Sequence, residues 1–356
     1  MNPSGLKSIG SNAFASCYEL TTINLPSQVE KIEGGAFALC TSLANVTIPD
    51  CVASIGASAF HSCFALETIN IPAANTTSIG ALAFGVCSAL KTVTIGSGVN
   101  AIGPLAFDDC PALQTVTIKA SVLNTYGNQA FDDTNNTFTM YVPATSLNSY
   151  QTNWETKKNQ MGVFMAVNRA KDAYWATYYN NNYSFTADEN TTVYTAALST
   201  NTLNLSVVND RVIPSNNAVI LKSSADIIWL TPASTSETFA NNSLRGTTAE
   251  ITGDGTIYVL NYKEDKGVGF YKLRSGKTLS ANKAYLEYPV SGAREYFLFD
   301  ETTDISAPFT NDDEVADGEF YDLQGRRVAQ PTRGFYIVRS AEDRMQGKSG
   351  KKIFIK

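Results

Sequence analysis

Apolar residues in the first 143 positions fall into six columns that recur every 23 or 24 residues. Phenylalanine sets the register, at Phe14, Phe37, Phe60, Phe84, Phe107 and Phe131. Counted from it, position −5 holds Ile9, Ile32, Ile55, Ile79, Ile102 and Tyr126, and position −4 is glycine in every copy except Glu33. Position +3 holds Cys17, Cys40, Cys63, Cys87, Cys110 and Thr134, and position +6 holds Leu20, Leu43, Leu66, Leu90, Leu113 and Thr137. Positions +9 and +11 pair apolar residues, as in Ile69 and Ile71 or Val93 and Ile95. A period of this length belongs to a solenoid. Spacing of 0, +3 and +6 predicts one face of a short helix, and alternation at +9 and +11 predicts a short strand, ended by Pro26, Pro49, Pro72 and Pro143.

One such unit is not stable alone. Burying about six apolar side chains yields about 10 to 15 kcal/mol, whereas ordering about 23 residues costs about 1 to 2 kcal/mol each. Neighbouring copies must therefore stack, their strands pairing about 4.8 Å apart and each Phe resting on the next. The sixth copy, with Tyr126, Thr134 and Thr137 in place of Ile, Cys and Leu, has the look of a terminal rung. Residues Thr145 to Asn159, with Leu147, Tyr150 and Trp154 on one side, predict a helix that caps the open end, Thr145 or Ser146 serving as N-cap.

Beyond residue 160 the period vanishes. Short β-prone runs alternate with Asn, Gly, Ser and Pro: Tyr174–Tyr178, Thr192–Thr195, Leu203–Val208, Ala218–Leu221, Ile227–Leu230, Ile257–Leu260, Gly269–Leu273, Ala284–Tyr288 and Tyr296–Phe299. These predict an antiparallel β-sandwich-like domain over 161–299. Residues 300–317 carry seven acidic and no basic side chains and predict a solvated linker. Residues 318–356 predict a small β module of three strands. The fold class expected is mixed and mainly β: a solenoid over 1–160, then these modules.

Net charge is −5 over 1–143, +1 over 144–299, −7 over 300–317 and +5 over 318–356. An acidic solenoid without clustered Lys or Arg is a poor partner for nucleic acid, whose binding needs a basic footprint. No run of 18 apolar residues is present to cross a bilayer. The first residues lack the basic and apolar regions of a signal peptide. Because the chain opens inside a repeat at Leu6-Lys7-Ser8-Ile9-Gly10, its natural leader is expected upstream.

The pattern Ile-Gly-x-x-Ala-Phe-x-x-Cys-x-x-Leu-x-x-Ile-x-Ile-Pro, clearest from Ile55 to Pro72, resembles the BspA-like (Treponema-type) leucine-rich repeat. The runs Val212-Ile213-Pro214, Ala218–Lys222, Gly269–Lys272 and Asn282–Leu286 are similar to an accessory β-domain of Bacteroidetes surface proteins. Phe320–Val328, Gly334–Val338 and Lys351–Lys356 resemble the C-terminal sorting-type domain of Bacteroidetes secreted proteins. These resemblances imply export to the cell exterior or outer surface, and a monomer whose solenoid adheres to a host or bacterial surface protein or a glycan.

On such a solenoid the outward strand positions, +8 and +10, are the candidate binding residues: Thr22, Asn24, Asn45, Thr47, Thr68, Asn70, Thr92, Thr94, Thr115, Thr117, Thr139 and Tyr141. They form a neutral wall of hydroxyls and amides, although Thr and Asn also suit strands and ladders for purely structural reasons. A second candidate is an aromatic platform in the β-domain, from Tyr174, Trp175, Tyr178, Tyr179, Tyr183 or Trp229, for a glycan-binding accessory protein. The six cysteines are expected to be free: five stack in one column whose parallel Cβ vectors aim the sulfurs poorly, and Cys51 sits in a loop. Without a Cys-x-x-Cys pair and with His61 as the single histidine, no zinc site is expected. The pairs Asp108-Asp109 and Asp132-Asp133 read as solvated turn charge rather than calcium ligands. No nucleophile elbow, metalloprotease motif or phosphate-binding loop is present. No cofactor and no catalytic residue are expected, and the enzyme alternative rests on a carboxylate pair assembled in space.

Overall fold

The computed structural model describes residues 5–299, except 73–74, 133, 135–136, 168, 171–172, 200–202, 265 and 289–294, together with four strands beyond residue 318. Two compact units divide the chain. One comprises 1–197 and 205–298, the other 198–204 and 299–356.

The first unit begins as a parallel solenoid. The six phenylalanines form one column, with successive ring centroids 5.1 to 5.2 Å apart and planes within 11° of parallel. Phe37, Phe60, Phe84 and Phe107 are fully buried, and Cys, Leu and the +9 and +11 residues of the same rungs are buried too, except the half-buried Val46. Two parallel sheets flank this column. The first is a ladder of two-residue strands, Ser8–Ile9, Lys31–Ile32, Ser54–Ile55, Ser78–Ile79, Ala101–Ile102 and Thr125–Tyr126. Its single inward residue per rung left no alternation for the sequence to display. The second contains four of the expected strands, Thr68–Ile71, Thr92–Ile95, Thr115–Ile118 and Thr139–Pro143, and the other two, Thr22–Ile23 and Asn45–Val46, pair as a separate two-stranded sheet.

The segment expected to be a short helix is instead a run of β-turns. Residues at −2 and +2 adopt left-handed backbone, for example Ser58 (φ 56°) and Ser62 (φ 59°), or Leu82 (φ 54°) and Val86 (φ 61°). The Phe60 N–H donates to Ala83 O of the next rung at 2.8 Å, whereas the Cys63 N–H closes a turn on Phe60 O at 3.3 Å. Alternate N–H groups are thus satisfied by the neighbouring rung, so the helical i−4 bond is never needed. The Phe, Cys and Leu columns still face inward, because successive turns of three residues, Cys63 N–H on Phe60 O and Leu66 N–H on Cys63 O, keep the same phase.

The open end is capped as expected, by a shorter helix. A 3₁₀ turn, Ala144–Ser146, runs into Leu147–Asn153, and a second 3₁₀ segment follows at Glu155–Gln160. Ser146 makes no side-chain cap, since it already sits in helical geometry (φ −115°, ψ −1°). Trp154 lies edge-on to Phe131 at 5.2 Å and donates from Nε1 to Gly127 O at 3.2 Å, while the Tyr150 hydroxyl donates to Ala120 O at 2.8 Å.

Past the cap the sheet does not stop. Met161–Ala166 adds in parallel to Thr139–Pro143, then Ile227–Ala233, Ser184–Ala187 and Val212–Ile213 follow antiparallel, giving eight strands in all. The expected boundary at 160/161 therefore falls inside one continuous sheet. Two further five-stranded sheets complete the region. One orders Arg169–Ala170, Ala173–Tyr178, Val219–Ser223, Thr191–Leu198 and Leu203–Val208. The other orders Leu244–Gly246, Ala284–Glu287, Ile257–Lys263, Gly267–Lys272 and Tyr296–Leu298.

In the second unit four antiparallel strands are ordered Arg327–Val328, Glu319–Tyr321, Gly334–Arg339 and Lys351–Ile355. The first expected strand of the tail is thus a hairpin of two. The acidic stretch 300–317 and Asp133 lie outside the described residues. Among the described residues no helix is long and apolar enough to cross a membrane.

Candidate functional site

Because successive strand residues point to opposite faces, the core residues at +9 and +11 force +8 and +10 outward. The rungs are in register, so the outward residues make two straight rows: Thr68, Thr92, Thr115 and Thr139, and beside it Asn70, Thr94, Thr117 and Tyr141. Thr22 pairs with Asn45 on the earlier rungs, with Asn24 and Thr47 just past them. Exposure falls along the rows. Thr22, Asn24, Asn45, Thr47, Thr68 and Asn70 are exposed, and Thr92, Thr94, Thr115, Thr139 and Tyr141 are half-buried. Thr117, expected on the open wall, is buried at 9% exposure, flanked in register by Thr94 and the much larger Tyr141.

The strands beyond the cap extend this face, and they change its chemistry. Tyr141 is in register with Gly162, and Pro143 with Phe164, which in turn pairs with Trp229. The Tyr141 ring lies over Gly162, where a Cβ would meet its Cδ1 and Cε1 at 2.9 Å. That gap lets the hydroxyl reach Thr231 Oγ1 at 2.9 Å, two strands away. Trp229 packs edge-on to Tyr141 with centroids 5.0 Å apart, and tilted against Phe164 at 5.4 Å. Asp188 pins its backbone, accepting the Trp229 N–H on Oδ2 at 2.7 Å and donating its own N–H to Trp229 O at 3.0 Å. The polar rows thus end in three half-buried aromatics on the same side of one sheet. Trp229 was legible only as part of a separate platform, because its neighbours come from strands 65 to 90 residues away in sequence.

That separate platform is not assembled. Tyr178 is 1% exposed and packs on Phe185, and Tyr179 is buried over Gly246 with its hydroxyl on Asn216 Oδ1 at 2.8 Å. Trp175 stacks with Tyr194 and lies under Lys222 Nζ, 5.0 Å from its centroid. Tyr174 and Tyr183 are half-buried, and Tyr183 lines two depressions, the larger of them against the capping helix. Strand alternation sends these consecutive aromatics to different faces.

The thiol column is present. Cys40, Cys63, Cys87 and Cys110 are buried and free, each donating to the phenylalanine carbonyl of the preceding rung at 3.1 to 3.4 Å, while Cys17 and Cys51 are exposed. Burial pushes the Cys63 and Cys110 thiols up to about 12 and holds the Cys87 thiol well above its ordinary value. They are packing atoms, not nucleophiles. His61 is half-buried and shares a hydrogen bond with Ser62 at 2.9 Å. Asp132 faces the largely buried Lys157 at 3.8 Å. Among the described residues no group of His, Cys, Asp and Glu is placed to hold a metal.

Residues 4–150 match the family model of the BspA type leucine rich repeat region, in six copies. Among solved structures, the chain is similar to the leucine-rich repeat protein of T. pallidum, TpLRR, at 30% identity over 39% of this chain and 64% of that one, with a TM-score of 0.37. It is also similar to the pneumococcal vaccine antigen PcpA, at 21% identity over 44% and 37% of the two chains and a TM-score of 0.35. A leucine-rich repeat protein from Bacteroides ovatus matches at 19% identity over 39% and 54%, with a TM-score of 0.24. The chain spans less than two thirds of the length of each of these. No curated protein gives a match.

Proposed function

Starting from residues 4–150 as a BspA-type leucine-rich repeat region, we propose that the chain is an exported, cell-surface or secreted adhesion protein, without catalytic activity, that grips a protein on a host or bacterial surface. The reading rests above all on the outward face of the eight-stranded sheet, where ordered rows of Thr and Asn run into Tyr141, Phe164 and Trp229. Cross-strand packing of these three aromatics contributes only about 0.2 to 1 kcal/mol per pair, and the sheet gains no more than that from presenting them outward on its central strands. A partner gains more, since aromatic anchors inside a polar rim dominate interface energetics. The rows supply rigid hydroxyls and amides at a fixed pitch, so little side-chain freedom is lost on docking.

The test is capture of extracellular-matrix proteins or mucin by the full chain, compared with the exposed pair N45R/N70R and with Trp229→Ala. Each variant is expected to weaken capture about tenfold or more. Undiminished capture by both would sink the reading. The division into a solenoid over 1–160, a β-domain over 161–299, a linker over 300–317 and a sorting-like module over 318–356 belongs to the same proposal. Attaching the last of these to a secreted reporter would show whether it directs export.

A further inference from the structure

Apart from the outward sheet face, the capping helix presents a second polar surface. Leu147, Tyr150 and Trp154 face the solenoid core, at helical spacing. Asn148, Gln151 and Thr152, at i, i+3 and i+4, form a neighbouring stripe in which Gln151 is buried, and Glu155 follows from the 3₁₀ segment. This stripe is one wall of a depression of about 390 Å³ whose other wall is Asn182 and Tyr183. A second depression, of about 210 Å³, adjoins it across Tyr183, against Ser184 and Pro232. The tyrosine therefore stands as a ridge between two shallow bowls.

Its position is fixed from below. Asn180, 3% exposed, accepts the N–H groups of both Asn182 and Tyr183 on Oδ1, at 2.9 and 2.8 Å. The Asn216 N–H donates to its carbonyl at 2.7 Å. The loop tip is thus held by backbone bonds to a buried amide, and the half-buried Tyr183 ring packs against the core beside it.

The larger bowl is lined by amides, a hydroxyl, one carboxylate and the Tyr183 ring, and the smaller adds apolar Met161, Phe185, Pro232 and Ala233, in both cases without Lys or Arg. Such a surface repels anions and offers donors and acceptors in mixed order. A pyranose meets both demands: its axial C–H groups lie on an aromatic ring, and its hydroxyls exchange hydrogen bonds with amides and carboxylate. The larger bowl falls within the about 300 to 1,000 Å³ of small-ligand sites, and the smaller one continues it. We infer that the groove around Tyr183 binds a short neutral oligosaccharide, one sugar stacked on the ring and the next held by the helix stripe.

The experiment is a glycan array probed with the full chain, carrying neutral gluco-, manno-, xylo- and galacto-oligosaccharides beside sialylated and sulfated ones. The strongest neutral hit is then titrated calorimetrically. Tyr183→Ala is expected to weaken it about tenfold or more, Tyr183→Phe to retain it, and the exposed pair N148A/N182A to weaken it without changing the melting temperature. Trp229→Ala is expected to leave it intact, which separates this groove from the adhesion face. If Tyr183→Ala unfolds, the N148A/N182A pair decides. Silence across the neutral glycans, a preference for the charged ones, or a hit that is lost in Trp229→Ala and retained in N148A/N182A would overturn the assignment.

Discussion

At Gly103 a methyl group would sit 2.5 Å from Ala81 N and 2.7 Å from the carbonyl carbon of Gly80, both backbone atoms of the rung beneath. Neither can yield without breaking ladder bonds such as Gly103 N–H to Ile79 O at 2.8 Å. Gly103→Ala is therefore expected to cost about 2 to 4 kcal/mol in urea unfolding, while Gly10→Ala, where a methyl meets nothing within 4 Å, stays within about 0.5 kcal/mol. Equal losses would refute this account of the glycine column. The thiols make a pH prediction. An unfolded cysteine ionises near 9, but burial holds Cys63 and Cys110 protonated up to about 12. The unfolded state then binds fewer protons above pH 9, so stability is complete below that value and falls as pH rises toward 12. The slope should be shallower in C63A/C110A, whose stability below pH 9 supplies the baseline. In the native protein at neutral pH a thiol reagent should label Cys17 and Cys51 alone. Glycine and cysteine columns were readable because one physical demand recurs at one position. The left-handed positions were not, since apart from Gly35 they are occupied by Asn, Ser, Leu, Val, Asp and Gln, where glycine would have been the signal.

The capping helix illustrates an element that sequence could foresee, because Leu147, Tyr150 and Trp154 share one side of a helix whatever lies beneath. Each rung's turn segment was harder. A period of 0, +3 and +6 is met equally by a helix and by a chain of turns. What decides is the destination of the N–H groups, which here is the next rung. That partner is 22 or 23 residues away and leaves no local trace. Removing the cap should expose the end of the stack. Trp154→Ala deletes the ring that covers Phe131 and the bond to Gly127 O, and is expected to cost about 3 to 5 kcal/mol. The bared rung should also self-associate, because unpaired edges and apolar ends recruit other chains. Analytical ultracentrifugation of the variant against the parent checks this, and a monomer of unchanged stability would count against it.

Across the whole first unit, the decisive junction is the pairing of Met161–Ala166 with Thr139–Pro143. Sequence texture changes sharply there, which suggested separate modules, yet the hydrogen-bond ladder passes through it and on to Ile227–Ala233. The apolar core passes through too, since Met140, Met161, Val163, Ile228 and Leu230 are buried in the same cluster as the phenylalanine column. A register reaching across a change of texture cannot be read from either side alone. Its consequence is mechanical: a disturbance in the β-domain should be felt at the far end of the solenoid cap. With Trp175 and Trp229 replaced by Phe, Trp154 becomes the single tryptophan and reports the cap. In that background Leu230→Ala, at a fully buried position, is expected to lower stability by about 2 to 5 kcal/mol. If the sheet transmits the loss, Trp154 fluorescence and far-ultraviolet circular dichroism should shift to the same lower urea midpoint, as a single cooperative transition requires. A Trp154 midpoint left where it was, while circular dichroism splits into two steps, would mean that the solenoid and the β-domain unfold independently despite sharing a sheet.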